Sequence, residues 1–110
     1  MANLMRVHDQ LAQNLSYIAQ YSPDAEHQRL ASLYLGAADV IFKFARTVDD
    51  MGASPSLNDA FLHAAEAQKH MVAGDLTAAL IASHLTLVAA VSAMPGIPGW
   101  TPPILPPVPK

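Results

Sequence analysis

Past Asp75 the chain has no Asp, Glu, Lys or Arg until its last residue, Lys110; the other fourteen charged residues all lie within residues 1–75. His84 is the only titratable side chain between Leu76 and Pro109. Cysteine is absent throughout, which excludes disulfides, thiol catalysis and thiolate metal sites and leaves the compartment open. Positive charge is scarce: six Lys and Arg that never cluster, in a chain of net charge −3. A nucleic-acid binder needs a basic stripe to displace counterions from phosphate, so that class is excluded. No unbroken apolar run follows Arg6, because Asp9, Gln10, Gln13 and Asn14 interrupt it; a cleavable signal peptide is not expected. Catalytic signatures are missing as well: no G-x-S-x-G, no phosphate-binding glycine loop and no H-E-x-x-H. The expectation is a protein without enzymatic activity and without a cofactor.

What is present is apolar and helical. Apolar residues make up 52% and charged residues 14% of the 110 positions, against a usual charged share of about 25%. One modest core is the limit at this length. Leu4, Val7, Leu11, Ile18 and Tyr21 recur at helical spacing, which predicts a first helix over Asn3–Tyr21. Asn14 interrupts that stripe; it is read as a seam edge turned to water, or as a register-setting polar residue against a partner helix. Ser22-Pro23-Asp24 predicts the start of a second helix, with Ser22 as cap and Pro23 at the first helical position. That helix is expected to run to Met51 and stop at Gly52, with Asp39–Lys43 and Arg46–Asp50 pairs on its wet side. Its main apolar face is Leu30, Leu33, Tyr34, Ala37, Val40, Ile41, Phe44, Val48 and Met51, widened by Leu35, Ala38, Phe42 and Ala45. The apolar arc is then about 200°, enough for two neighbours. Gly36 marks either a close helix crossing, a bend or a tolerated glycine.

A third helix is expected from Pro55–Leu57 to Gly74 and a fourth from Leu76 to Met94, Asp75 capping the latter. Gly74-Asp75-Leu76-Thr77-Ala78-Ala79-Leu80 resembles the turn of a tetratricopeptide-type helix pair. His63 and Glu66 stand where that repeat wants bulky apolar residues, and no second copy follows at a period of 34. The segment is therefore read as a generic helix hairpin. Asp59, His63, Glu66 and His70 share one face of the third helix and are all metal-ligand types. They lie opposite Leu57, Ala60, Phe61, Ala64, Met71 and Val72, so a solvated stripe is expected and no metal site. His84 is read as a buried neutral histidine with one hydrogen-bond partner, with a pH-sensing role at an interface as the other reading.

Helix four has Leu76, Leu80, Leu87, Val91 and Met94 on one side and Ile81, Leu85 and Val88 about 130° away. Two apolar sides fit a bundle centre, an interface or a membrane span. Thr77, Ser83, His84, Thr86 and Ser92, and the lack of a flanking cation before Lys110, argue against the span. Seven of the last sixteen residues are proline, so residues 95–110 are expected to be extended, largely polyproline II, and docked on the helices or on a neighbour. The sequence thus predicts an all-α four-helix bundle over 1–94 with a proline-rich tail over 95–110. Its expected work is self-association, or docking into a larger assembly such as a viral particle or secretion machine, through helices two and four and the tail. The contact residues expected are Leu35, Phe42, Ile81, Leu85, Val88, Trp100, Ile104 and Leu105. The expected partner is another protein or a second copy, with no nucleic acid and no membrane; the compartment is left open, a soluble chain in the cytoplasm or within a larger particle being the expectation. The alternatives are an adaptor whose tail is a polyproline ligand, or a small membrane-associated protein spanning with residues 76–94.

Overall fold

The computed structural model describes residues 2–50, 58–93 and 99–109. Among these there are four helices and no strand: α1 (Ala2–Tyr21), α2 (Ala25–Asp50), α3 (Asn58–Ala73) and α4 (Leu76–Ser92). The expected stop at Gly52, the start over Pro55–Leu57 and the Pro95-Gly96 terminator lie outside the described residues.

Local chemistry sets the two short connections. Asp24, not Ser22, caps α2: its Oδ1 accepts from the His27 backbone N–H at 3.0 Å. Ser22 stands two residues earlier, where its hydroxyl accepts from the Asp24 N–H at 3.3 Å and its carbonyl from Gln28 Nε2 at 2.6 Å. A carboxylate also favours the positive end of the helix dipole, so the cap falls to Asp24 and Pro23 precedes the helix. Between α3 and α4 the Gly74 N–H bonds the Met71 carbonyl at 3.1 Å and the Asp75 N–H bonds that of His70 at 2.9 Å. This pair of bonds is a Schellman closure, which places Gly74 in the left-handed region at φ 81°. Asp75 Oδ1 then accepts from the Ala78 N–H at 3.0 Å and starts α4.

The helices form two antiparallel pairs, α1 with α2 and α3 with α4; α2 also packs on α4 and α1 on α3. One core runs through all four, with Leu11, Leu15 and Ile18 of α1, Leu30, Tyr34, Ile41 and Phe42 of α2, Ala60 of α3, and Leu80 and Leu87 of α4. The buried face of α2 is rotated from the sequence expectation. Leu33 and Val40 are exposed, whereas Ala31, Ala38, Phe42 and Ala45 are buried. Phe42 stacks on His8 of α1, ring centroids 5.3 Å apart, so this side of α2 meets α1. Alanines at intervals of seven leave room for that neighbour, and a 200° arc alone could not say which residues would face it. Asp39 pairs across helices with His8 Nε2 at 2.9 Å.

Asn14 is buried and sits within the α1 stripe, in place of the expected seam edge turned to water. Its Oδ1 accepts from Gln10 Nε2 at 3.2 Å, and the same Gln10 nitrogen reaches Gln68 Oε1 of α3 at 2.7 Å. Asn14 Nδ2 meets no acceptor among the described residues. Tyr21 and Val72, expected on apolar core faces, are exposed. Residues 99–109 carry neither helix nor strand.

Candidate functional site

Helix α4 carries the uncharged region, and its buried side is made largely of small residues. Ala79, Leu80, Ala82, Ser83, Thr86, Leu87 and Ala90 face inward. Two of these are polar, and the helix satisfies both itself: Ser83 Oγ donates to the Ala79 carbonyl and Thr86 Oγ1 to the Ala82 carbonyl, each at 2.8 Å. Such back-bonding lets a hydroxyl be buried without a partner from another helix.

The opposite strip remains open. Ile81, Leu85 and Val88, one turn apart, are 37%, 39% and 37% exposed. Ile104, in the charge-free C-terminal segment, is 85% exposed. The other expected contact residues divide differently. Phe42 is wholly buried, a correction to its place among them, because α1 already covers it. Leu35, Trp100 and Leu105 are half-buried and pack against the chain's own core.

Residues 99–109 lie along the groove between α2 and α4. Trp100 stacks on Phe44 of α2 with centroids 4.5 Å apart. The Tyr34 hydroxyl donates to the Pro106 carbonyl. His84 Nε2 lies 3.1 Å from the Leu105 carbonyl oxygen; that oxygen can only accept, so Nε2 carries the proton. The Tyr34 and His84 rings are themselves 5.4 Å apart. Val108 also packs on the core. At the far end Pro109 helps line an open concavity of about 500 Å³ with Asp24, His27, Thr77 and Ile81. Contacts therefore descend α2 from Phe44 to its cap, Asp24, as the chain ascends from 100 to 109. The sequence placed Tyr34 on the apolar face of the second helix and expected the tail to dock, but it did not show that Tyr34 would hold the tail. The signal available was one buried tyrosine in an apolar face, since a buried phenol needs a hydrogen-bond partner. Burial pushes this phenol up to about 12, against a smaller opposing pull from Arg29.

On α3, Asp59 and Glu66 are exposed while His63 and His70 are half-buried. Among the described residues no three His, Asp or Glu side chains converge as a metal-binding group would require. The α1–α3 side holds an open groove of about 340 Å³, lined by Gln10, Asn14, Tyr17, Gln68 and Val72, which brings together no nucleophile and base. No helix among the described residues is long and apolar enough to cross a membrane. No protein-family model, curated protein or solved structure matches the chain.

Proposed function

We propose that the chain is a small four-helix bundle strapped by its proline-rich C-terminal segment. Its role is that of a non-enzymatic structural or interaction subunit, which self-associates or docks into a larger assembly through α4. One observation carries this reading: Ile81, Leu85 and Val88 form a continuous, more than one-third exposed apolar strip within a stretch that has no charge from Leu76 to Pro109. Exposed apolar residues scattered singly need no explanation, but a contiguous uncharged strip favours burial against another surface.

Leu85→Asp tests the reading, because Leu85 lies on the open side of α4 and its replacement leaves the core intact. The helical circular dichroism should persist while the particle mass by light scattering falls to that of the monomer. A variant with the wild-type mass would refute the α4 contact. The adaptor alternative has less support, since Trp100, Leu105 and Val108 would first have to leave the core against which they pack.

A further inference from the structure

The groove between α2 and α4 has the chemistry of a receptor as well as that of a seam. Proline has no N–H, so a proline-rich segment offers mostly carbonyl acceptors, and in polyproline II none of them is bonded internally. The groove offers donors. Tyr34 and His84 capture the consecutive carbonyls of Pro106 and Leu105, and Phe44 supplies an aromatic platform for Trp100. Exposure along the segment follows the same logic. Trp100, Pro103, Leu105, Pro106 and Val108 are half-buried, while Thr101, Pro102, Ile104, Pro107 and Pro109 are exposed. Trp100, Pro103 and Pro106 stand three residues apart, as do Leu105 and Val108, a spacing that suits a helix of three residues per turn. Aromatic grooves with hydrogen-bond donors are a general way to hold such segments.

We propose that this groove is a recognition site for extended proline-rich segments, and that its partner in trans is the same segment, residues 99–109, of a second copy. The segment seated in the groove defines the ligand, and a second copy can make every one of these contacts. Within one molecule the short connection gives the resident segment an effective concentration in the millimolar range. Exchange between copies therefore takes over where copies are crowded or where the resident contacts are weakened, as in domain swapping.

Two full-length variants test this, both carrying Leu85→Asp so that the α4 strip contributes nothing. The receptor chain has Trp100→Ala and Leu105→Ser, which weaken its own segment and remove the only tryptophan. The donor chain has Tyr34→Phe and His84→Ala, which keep its segment and remove the two donors from its groove. On mixing, the proposal expects a one-to-one complex by light scattering and a blue shift of the donor's Trp100 emission. Placing Tyr34→Phe and His84→Ala in the receptor too should weaken binding about tenfold or more, the effect of losing two hydrogen bonds. Circular dichroism checks each fold, and Tyr34→Phe alone, which removes one hydroxyl, serves if the double change unfolds the chain. No complex and no shift up to millimolar chain would overturn the proposal. So would a complex indifferent to Tyr34 and His84.

Discussion

Tyr34 joins core and surface in one residue: its ring is wholly buried and its hydroxyl holds the Pro106 carbonyl. Because burial raises its phenol to about 12, the folded state holds this proton more tightly than the unfolded chain, whose tyrosine titrates near 10. Between about pH 10 and 12 the unfolded state then binds fewer protons. Stability must fall across that window, by at most about 1.4 kcal/mol per pH unit from this group. A chain with Tyr17→Phe and Tyr21→Phe should therefore show phenolate absorbance only as pH approaches 12, with its denaturation midpoint dropping above pH 10; ionisation near 10 with the helices intact would contradict this. The Tyr34 contact could not be read from the sequence, since it joins residues 72 positions apart. Asn14 was illegible for a related reason. A polar residue in an apolar stripe reads as solvent-facing, and only the Gln10–Gln68 bridge across α1 and α3 reveals its burial.

At the scale of elements, helix boundaries were legible where the determinants are local. Gly74 and Asp75 fix the α3–α4 turn through bonds among residues 70–78, all within nine consecutive letters. Asp75→Ala should cost about 0.5–2 kcal/mol in urea unfolding; an unchanged midpoint would mean the cap is dispensable. Which way a helix faces is a different matter. On α2 the apolar arc is so wide that Leu33, Val40 and Phe42 could not be sorted, and packing against α1 and α4 decides among them. Gly36 is settled by the same geometry. It is exposed, and a Cβ built there meets nothing within 4 Å, so it marks no close crossing. Gly36→Ala should stabilise the protein by up to about 1 kcal/mol, and a loss of stability in the same urea assay would show that the glycine is structurally required.

For the whole molecule, the uncharged third of the sequence proves to have two fates. One side of α4 and the inward positions of residues 99–109 join the core. The strip Ile81–Leu85–Val88 and the outward Ile104 remain at the surface. The sequence anticipated two apolar sides on α4 and put Ile81, Leu85 and Val88 on the outer one, where they are exposed; it did not show that small and polar residues, Ala79, Ser83, Thr86 and Ala90, would join Leu80 and Leu87 on the buried side. Half of the expected contact residues consequently serve the chain's own packing, and three of the open four, Ile81, Leu85 and Val88, lie on one side of α4. The central claim, that this surface associates, is tested most directly by the molar mass of the full chain in detergent-free solution, measured by light scattering across a concentration series. The expected mass lies above that of the monomer, rises with concentration and collapses to monomer with Leu85→Asp. A wild-type chain that stays monomeric throughout the series, alone and without a captured partner, would contradict it.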